Sequence, residues 1–526
     1  MKWVLKKSNK KIFKFNKEFN FHPLITNLLN NRAFATSDEF VRFLNPSKKY
    51  FHNPFLMKGM EKSIKRIFKA MSLGETIFVL GDSDADGISA TSIIYKQLKR
   101  KGGKVKALIL NREEDGRGLS RKLIEKVIRA NSAVLITCDL GINDHGLIDF
   151  ATRNCVDVII ADHHLPLKKN TSAYSILNPK QLNCIYPFKE LSASGIALKL
   201  AQGMEKFKSK NILENDDLVG LAMLGTISDM VPLKGENRLI VSIGLKNLKE
   251  TKSIGLKIFL KKKKQRQSYY SFLTSSIIPM VNSTARIGDS NKVLELLTIK
   301  NKEKIKLLYS QLKSVNESRI NIQNQTAEEV YKLAKASLET KKEKVVICYS
   351  YNWKYGILGL VASKTREIFN FPIILITFEN RTLGRGSARS IAGFNLLKVF
   401  KLVSYLLESY GGHEMAVGFK IKKSRLEEFS NLINQYAMES MRNSTGKVEK
   451  YFDCEIKIKD IKPRLINFLK ILEPYGVGNE KPQFVSKNIK IKGNPKVSTN
   501  GKNLKFIVVQ NKVVITAIGV RLMNLY

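Results

Sequence analysis

The chain has 526 residues, 43% of them hydrophobic and 26% charged, which leaves room for two to four domains with sizeable cores and excludes disorder of the whole chain. Lysine and arginine number 90 against 46 aspartates and glutamates, and the formal net charge of +44 predicts salt-dependent attraction to polyanions such as nucleic acid. Lys, Asn and Ile are abundant throughout, as an AT-rich coding sequence would also dictate, so drift and selection for binding both remain explanations of the excess charge.

Five cysteines occur, and no two of them form a CxxC pair. The odd count and the spacing argue against a disulfide framework and against a cysteine-based zinc site, as is typical of a reducing cytoplasm. The first residues, MKWVLKKSNKKIFKF, contain no apolar core of signal-peptide length, and no stretch approaches the roughly 18 apolar residues of a membrane span. We therefore expect a cytoplasmic protein that does not act at a membrane.

Residues 1–70 form a mixed lead-in for which helices are expected, and a repetitive pattern follows. Short apolar runs alternate there with amphipathic segments. The runs predict strands at 75–82, 104–110, 132–139 and 156–162, and the segments between them predict helices at 88–102 and 143–154. Such alternation indicates an α/β fold in which helices cover both faces of a parallel sheet.

The rest of the chain continues with helices and then a second α/β pattern. An apolar helix is expected at 218–229, and one long charged helix at 302–342 would connect two bodies. The second α/β pattern consists of a strand at 344–350, a helix near 357–369 and a strand at 371–378. From about residue 450 the pattern turns to β structure.

Acidic side chains follow three of the predicted strands. They are Asp82, Asp84 and Asp86 after the first strand, Asp139 after the third, and Asp162, with His163 and His164, after the fourth. Because all strands of a parallel sheet point the same way, ligands collect beyond their carboxyl ends, and these side chains are expected to meet there. Asp229, which follows the apolar helix, is a further candidate.

Carboxylates packed this closely raise each other's pKa and cannot all ionise unless cations lie among them. Carboxylates with some imidazole and no thiolate favour Mn²⁺ or Mg²⁺ over structural zinc. Two such ions serve phosphoryl hydrolysis, because one lowers the pKa of an attacking water and both stabilise charge on the phosphate. The predicted catalytic residues are Asp84, Asp86, Asp139, Asp162, His163 and Asp229, and the predicted metal ligands add Asp82 and His164.

Each of these residues also has an ordinary structural interpretation. A single Asp at a strand end is most often the N-cap of the next helix, and Asp144 fits that role alone. A single buried His is usually hydrogen-bonded within a core, but neither role explains three acids and a histidine pair at one sheet edge. We expect Asp162 to bridge the two ions and His163 to be a direct ligand. For Asp82 and His164 an alternative role is open: they would not bind a metal ion directly but would hydrogen-bond the residues that do.

Four motifs along the chain resemble those of the DHH phosphoesterase superfamily, and they are, in order, GDSDADG, CDLGI, ADHH and GTISDMVPL. Longer stretches resemble the RecJ family of bacterial single-stranded-DNA-specific exonucleases. These stretches are NREEDGRGLS, NPKQLNCIYPFKELSASGIALKL, GENRLIV, VNSTARIGD, GSARSIAGFN, GGHEMAVGF and LEPYGVGNEKPQF. Together the motifs cover about 75–526 in order.

The resemblance implies a 5′→3′ exonuclease that releases 5′-mononucleotides from single-stranded DNA by two-metal hydrolysis, in DNA repair and recombination. It implies a DHH catalytic domain at 71–260, a connector with the long helix at 261–342, a DHHA1 substrate-binding domain at 343–445 and an OB-like nucleic-acid-binding region at 446–526. The resemblance also implies which residues bind Mn²⁺ or Mg²⁺. They are Asp82, Asp84, Asp86, Asp139, His163, His164 and Asp229.

The same resemblance implies which residues hold the DNA strand. Arg112, Arg286 and Ser387 match positions that grip the 5′-terminal phosphate. Arg389 and His413 match positions that reach the scissile phosphate and the backbone. Arginine suits this task because its guanidinium can hold a phosphate through two parallel hydrogen bonds.

Asn282, Gly411 and Gly412 stand in the same motifs and complete the predicted substrate-binding set. The glycines of GRGSARS and GGH would let backbone N–H groups approach a phosphate closely. The chain departs from the family at Ala285 and Ala388, where the family has glycine. Each alanine adds one methyl group, which is tolerable unless φ is positive there.

The C-terminal β region resembles the family's OB-fold, a five-stranded barrel that binds oligonucleotides. Its last strands are not evident before Tyr526. We therefore expect a barrel that is open or completed differently, or a weakened grip on DNA for which the basic charge of the chain would compensate.

Two other functions are weighed against a RecJ-type nuclease. A DHH phosphodiesterase for short oligonucleotides or cyclic dinucleotides would need neither the long helix nor the C-terminal β region. A non-catalytic replication scaffold of the same fold would have lost the ligating acids, whereas all of them are present here. The expected partners are single-stranded DNA, a helicase and a single-stranded-DNA-binding protein, and the expected state is a monomer.

Overall fold

The structure is a computed structural model of the chain. It describes residues 2–6, 23–32, 34, 36–112, 115–116, 118–167, 172–208, 216–261, 263–265, 267–340, 343–378, 381–442, 449–497 and 503–520. Parts of the predicted lead-in and of the NREEDGRG loop lie outside these ranges. None of the helices within them combines the length and the hydropathy that a membrane crossing requires.

The strands are, in chain order, β1 Lys2–Leu5, β2 Thr76–Gly81, β3 Val105–Ile109, β4 Ser132–Cys138, β5 Asp157–Ala161, β6 Ser175–Leu177, β7 Val346–Ser350, β8 Ile373–Thr377, β9 Leu383–Arg389, β10 Leu407–His413, β11 Ala416–Lys422, β12 Glu449–Phe452, β13 Cys454–Glu455, β14 Phe484–Val485, β15 Lys490–Val497, β16 Asn503–Gln510 and β17 Val513–Val520.

The α-helices are α1 Pro23–Asn30, α2 Ser37–Leu44, α3 Met60–Ser72, α4 Ala85–Arg100, α5 Arg121–Arg129, α6 His145–Arg153, α7 Ala193–Lys208, α8 Asp216–Ser228, α9 Gly235–Asn247, α10 Ile254–Leu260, α11 Tyr269–Phe272, α12 Ile278–Ile287, α13 Asn291–Thr298, α14 Lys302–Thr340, α15 Tyr355–Phe369, α16 Leu396–Leu402, α17 Leu426–Arg442 and α18 Pro463–Ile471. A π-helical turn at Leu273–Ile277 joins α11 to α12.

The chain divides into two compact units. Unit 1 comprises Met1–Phe51, Pro232–Ile243 and Lys447–Tyr526, and unit 2 comprises His52–Val231 and Gly244–Gly446. All of the predicted metal and substrate residues belong to unit 2.

The first sheet of unit 2 has five parallel strands in the order β3-β2-β4-β5-β6. Every residue of β2 is buried, as its apolar run predicts for a strand covered on both faces. One face packs against α5 and α6 through a core that includes Phe78, Leu123 and Ile148. The predicted parallel α/β fold is confirmed. The short edge strand β6 was not foreseen, because three residues give no readable periodicity.

The second sheet of unit 2 has the strand order β10-β11-β9-β8-β7. Only β7 and β8 are parallel; the other neighbours are antiparallel. Helix α15 and the long helix α14 cover β7 and β8 on one face through Val330, Ile357 and Leu375. Helices α16 and α17 cover the opposite face through Phe400, Phe419 and Phe429. The two faces of β9, β10 and β11 therefore differ.

Unit 1 contains small sheets and a compact helical core. Strand β1 pairs with β12 in parallel, β13 pairs with β14 in parallel, and β15, β16 and β17 form an antiparallel sheet. The helices pack around Phe34, Phe40 and Phe468. Helix α18 interrupts the region that the sequence pattern predicted as β structure throughout, because its apolar residues are spaced for a helix.

Arg238 is the largest side chain among the fully buried residues, and it lies in unit 1. Its guanidinium donates hydrogen bonds to the backbone carbonyl of Phe43 at 3.0 Å and to four carbonyls at the end of α18 and just beyond it, those of Ile471, Leu472, Glu473 and Pro474. It also lies 3.7 Å from the centre of the Phe43 ring. Burial lowers the pKa of Arg238 to about 9, which marks a cation held by carbonyl dipoles rather than by a carboxylate.

Replacing Arg238 by methionine keeps the apolar stem and removes every donor to these carbonyls. We expect the substitution to cost unit 1 on the order of 3 kcal/mol, because acceptors at the end of α18 lose their partners. Hydrogen exchange of the α18 amides should then accelerate by about two orders of magnitude. Arg464→Met, on the exposed side of the same helix, is the matched control and should leave exchange unchanged. Equal protection in the two variants would contradict this role.

Candidate metal centre and phosphate-binding residues

The carboxyl ends of the three central strands of the parallel sheet lie side by side, because the last residues of β2, β4 and β5 are register partners. The next residues are Asp82, Asp139 and Asp162. Asp82 donates its backbone N–H to the Cys138 carbonyl at 3.1 Å, and Asp139 donates to the Ala161 carbonyl at 3.0 Å, so the ladder continues into the acids. The predicted meeting of these acids at one sheet edge is observed.

The loop after β2 turns sharply to begin α4. Asp84 is the N-cap of α4, and its Oδ1 accepts hydrogen bonds from the backbone N–H groups of Asp86 at 3.1 Å and Gly87 at 3.2 Å. A Cβ on Gly87 would lie 2.5 Å from the Asp82 carbonyl oxygen, so only glycine permits this turn. The capping role of Asp84 and a metal-binding role are compatible, because capping engages one oxygen.

Asp86 is held from the opposite side by the first turn of α7. Its two carboxylate oxygens accept hydrogen bonds from the backbone N–H groups of Ala193 at 2.8 Å and Ser194 at 3.0 Å. Gly225 of α8 leaves space for this contact, since a Cβ there would lie 2.4 Å from Asp86 Oδ1. Sequence reasoning missed this support, and the small residues of LSASG and LGT were its available signal.

His163 lies between two carboxylates from different elements. Its Nε2 is 3.3 Å from Asp139 Oδ1 and 3.5 Å from Asp229 Oδ2. Asp139 Oδ1, Asp229 Oδ2 and His163 Nδ1 are buried and have no hydrogen-bond partner among the described residues. Buried polar atoms of this kind usually have a partner, and several at one point indicate that a further group belongs there.

Asp162 has a different environment from the other acids. Its Oδ2 accepts a hydrogen bond from the Ile142 N–H at 3.1 Å, and its Oδ1 lies 2.7 Å from His164 Nδ1. Burial acts to raise the pKa of Asp162, but the hydrogen bonds and charge of His164 outweigh it and the pKa is lowered. The same contact raises the pKa of His164 to about 9. Asp162 is therefore an ionised partner that orients His164.

Three groups of side chains each bring one ligand atom per residue within 4.8 Å of the others. They are Asp139, His163 and His164; Asp86, His163 and Asp229; and Asp82, Asp84 and Asp139. Asp139 and His163 each belong to two groups, whereas Asp162 belongs to none of them. This geometry favours Asp139, not Asp162 as expected above, in the position shared between two ions.

The raised pKa values of two of the acids indicate that the cluster would be stabilised by an additional positive charge. Burial, and then the charges of Asp84 and Asp86, raise the pKa of Asp139 well above its ordinary value. Burial and the charge of Asp86 raise the pKa of Asp229 to about 8. Groups this close cannot all ionise by themselves, and hard cations such as Mn²⁺ or Mg²⁺ are the partners that oxygen-rich sites take.

Arginines surround the other side of the cluster. Arg112 Nη2 lies 2.7 Å from Asp82 Oδ2 and 3.4 Å from Asp84 Oδ2. Arg286 makes no ion pair within the described residues and donates from Nη1 to the Gly356 carbonyl at 2.8 Å. Burial, and then the nearby charges of Arg112 and Arg319, lower the pKa of Arg286 to about 10. Such crowding of cations is the electrostatic signature of a site for an anion.

Ser387 and Arg389 lie on the same face of β9. Arg389 Nη1 is 3.0 Å from Ser387 Oγ, and Gly359 of α15 leaves room for the guanidinium, since a Cβ there would be 2.6 Å from Arg389 Nη2. The register pairs Arg389 with Ala416 and Ala416 with His413, so His413 stands in the same row of the sheet. Gly411 lies one row further along, beside Gly418 and Ser387.

The glycines of GRGSARS do not have the role predicted for them. Gly384 and Gly386 face the core, where a Cβ would lie 2.6 Å from the Phe378 ring and 2.1 Å from the Phe419 ring. They make room for aromatic side chains and not for a phosphate. In the GGH segment, a Cβ on Gly411 would meet open space, whereas Gly412 has a φ of +149° and closely approaches the Ala416 carbonyl oxygen.

The remaining predicted positions have structural partners. Asn282 accepts a hydrogen bond from the Ala85 N–H at 2.8 Å and donates to Ser228 Oγ at 3.2 Å, so it ties the start of α4 to the end of α8. Asp144 makes no side-chain cap and instead accepts from the Leu119 N–H at 3.1 Å. Ala285 and Ala388 are absent from the positive-φ residues, so their extra methyl groups are tolerated.

Three family models match the chain in order. The DHH family N-terminal domain matches residues 76–226, the DHHA1 domain matches 342–439, and the RecJ OB domain matches 452–525. The single-stranded-DNA-specific exonuclease RecJ of Bacillus subtilis (strain 168) is 29% identical over 97% of the chain. The chain spans 64% of the length of that relative.

Two further similarities agree with these matches. The single-stranded-DNA-specific exonuclease RecJ of Dickeya dadantii (strain 3937) is 28% identical over 82% of the chain and 78% of the relative. The crystal structure of RecJ from Thermus thermophilus in complex with Mn²⁺ superposes with a TM-score of 0.83, at 23% identity, over 98% of the chain and 74% of that structure. The chain therefore carries a DHH domain, a DHHA1 domain and a RecJ OB domain in that order, and it is similar to RecJ proteins in sequence and in fold.

Proposed function

We propose that the chain is a 5′→3′ exonuclease that hydrolyses single-stranded DNA with two Mn²⁺ or Mg²⁺ ions and releases 5′-mononucleotides. The observation that carries the proposal is that two charged clusters adjoin. One is a group of carboxylates that needs bound cations to balance its negative charge, and the other is a group of arginines that needs a bound anion to balance its positive charge. Arg112 joins the two, because it pairs with Asp82 while its charge acts on Arg286. A phosphodiester next to metal ions would complete both charge sets at once.

The proposed ligands are Asp82, Asp84, Asp86, Asp139, His163, His164 and Asp229, with Asp139 shared. When bound, the ions would lower the pKa of an attacking water and neutralise charge on the phosphate. Asp86 is positioned for this task by the first turn of α7, and Asp162 fixes the ring of His164 through a hydrogen bond of 2.7 Å. The proposed catalytic set of Asp84, Asp86, Asp139, His163 and Asp229 therefore has Asp162 as its positioning residue.

The proposed grip on the DNA uses residues from both α/β parts of unit 2. Arg286 and Ser387 bind the 5′-terminal phosphate, and Arg112 contributes charge while it holds Asp82 and Asp84. Arg389 and His413 contact the backbone at the scissile bond. Asn282 acts indirectly, since both ends of its amide already hold protein groups.

The cellular role follows from this substrate and is part of the proposal. A helicase would have to unwind duplex DNA first, and a single-stranded-DNA-binding protein would keep the strand accessible, in repair and recombination in the cytoplasm. In this proposal residues 71–260 catalyse hydrolysis and 261–342 connect the two α/β parts. Residues 343–445 bind the substrate, and 446–526 bind further nucleic acid. The names of the RecJ relatives support the activity.

The direct test is a digest of end-labelled 30-mers with each end blocked in turn. We expect Mn²⁺-dependent release of mononucleotides from 5′-phosphorylated single strands, no release when the 5′ end is blocked, and little from a blunt duplex. Chelation by EDTA should abolish the reaction. Preference for dinucleotides or cyclic dinucleotides over the 30-mer would replace the proposal by a small-substrate phosphodiesterase.

Asp139→Asn tests the shared position. Asp139 has a φ of +65°, a conformation that asparagine adopts readily, so the backbone should be preserved while the charge is lost. We expect activity to fall at least about a thousandfold and the Mn²⁺-induced rise in Tm to disappear. Asp144→Asn removes a neighbouring carboxylate outside the three groups and is the control, for which both properties should persist. An Asp139→Asn protein that still responds to Mn²⁺ would argue against the assignment.

Arg286→Gln tests the phosphate grip. The loss of a charge-assisted contact should raise the KM for a 5′-phosphorylated strand by about 10- to 100-fold. The KM for the same strand with a 5′-hydroxyl should change much less, so the preference for the phosphate should vanish. Arg153→Gln, an exposed charge change on α6, serves as the control. A parallel rise in KM for both strands would show that Arg286 does not read the terminal phosphate.

A further inference from the structure

The open face of the second sheet of unit 2 is ordered in rows across three strands. The register places His413, Ala416 and Arg389 in one row, and Gly411, Gly418 and Ser387 in the next. A third row follows, in which Ser409 of β10 pairs with Lys420 of β11 and Lys420 pairs with Arg385 of β9. Alternate residues on a strand lie on one face about 7 Å apart, so the three rows are successive positions on one surface.

Helix α15 lies against β9 on this face, but among the described residues no core cluster covers it at β10 and β11, whereas the opposite face of these strands is packed against a core. Val417, Phe419 and Ile421 pack into that core, whereas Lys420, between them, is exposed. In the middle row Ser387 is buried beside Gly359 of α15, whereas Gly411 and Gly418 on β10 and β11 raise no side-chain bulk. Cations therefore flank a shallow strip on both sides, with Arg389 in the first row and Lys420 with Arg385 in the third.

Arg385 is held in place by an aromatic ring. Its guanidinium carbon lies 3.8 Å from the centre of the Tyr355 ring, at the start of α15. Stacking of this kind orients a guanidinium while leaving its N–H edges available to an acceptor. The next residue, Gly356, accepts the hydrogen bond from Arg286, so the stacked pair adjoins the proposed 5′-phosphate site.

Among the residues that the structure describes, neither cation of the third row has a carboxylate partner. Within the described ranges no ion pair includes Arg385 or Lys420, whereas Lys422, two residues further along β11, pairs with Glu408 at 3.3 Å. Two unpaired cations directly opposite each other on adjacent strands repel one another and are destabilising unless an anion lies between or above them.

We propose that Arg385 and Lys420 bind the sugar-phosphate backbone of single-stranded DNA one row beyond Arg389 and His413. A strand that follows the open face meets the first row, crosses the glycine strip and meets the third row. Its phosphates are recognised by charge and by the fixed guanidinium of Arg385, without reading of base identity. This inference rests on the proposed function, since it extends the same DNA path.

The test measures binding of a fluorescent single-stranded 30-mer in EDTA, where no hydrolysis takes place, at several salt concentrations. Lys420→Ala, Arg385→Gln and the double variant are compared with the unmodified protein. In the double variant we expect the Kd to rise about tenfold and the slope of log Kd against log salt to become shallower by about 1.4, which corresponds to two lost phosphate contacts. Lys420→Ala alone should give about half of this change in slope, and because its side chain is exposed the variant should fold normally.

Lys398→Ala/Lys401→Ala is the matched control. It removes the same net charge from exposed positions on α16, which covers the opposite face of the sheet, and its Kd and salt slope should stay unchanged. If Lys420→Ala and the double variant bind as the unmodified protein does, the inference is overturned. Digestion of the same 30-mer in Mn²⁺ is measured separately, so a failure of the proposed exonuclease function and a failure of this contact give different results.

Discussion

The register of one parallel sheet places three carboxylates at adjacent strand ends. The other groups of the site compensate part of this concentrated negative charge. Gly81, Cys138 and Ala161 are partners across β2, β4 and β5, so the acids that follow them cannot separate without breaking the ladder. Further carboxylates arrive from the turn into α4 and from the end of α8. The backbone holds these carboxylates close together, so the repulsion between their charges must be compensated by other groups.

The protein supplies part of that balance through its own groups. The first turn of α7 donates two hydrogen bonds to Asp86, Arg112 pairs with Asp82 and Asp84, and His164 Nδ1 lies within hydrogen-bond distance of Asp162. These contacts leave Asp139, His163 and Asp229 with buried polar atoms that have no hydrogen-bond partner among the described residues, and Asp139 and His163 each belong to two of the three potential ligand groups. The uncompensated charge is thus localised at a few atoms, which is what a site for hard cations requires.

The sequence allowed much of this to be predicted, because strand alternation in the first α/β part is unambiguous and the acids stand directly at strand ends. The bridging role expected for Asp162 stays a prediction. The geometry favours Asp139 there because Asp162 is engaged by Ile142 and His164, and these contacts depend on side-chain direction and leave no trace in a linear pattern. The contact of Ala193 and Ser194 with Asp86 joins residues more than 100 positions apart. The glycines of GRGSARS were misread because strand parity, which turns Gly384 and Gly386 to the core, was not considered.

The proposed reaction requires two divalent ions that share Asp139 beside a phosphate held by Arg286. Anomalous diffraction from crystals soaked in Mn²⁺ and a 5′-mononucleotide measures both directly. The proposed site should show two manganese peaks flanking the Asp139 carboxylate, one of them in contact with His163 and Asp229, and phosphate density against Arg286. No manganese within reach of Asp139, or a phosphate bound away from Arg286, would contradict it.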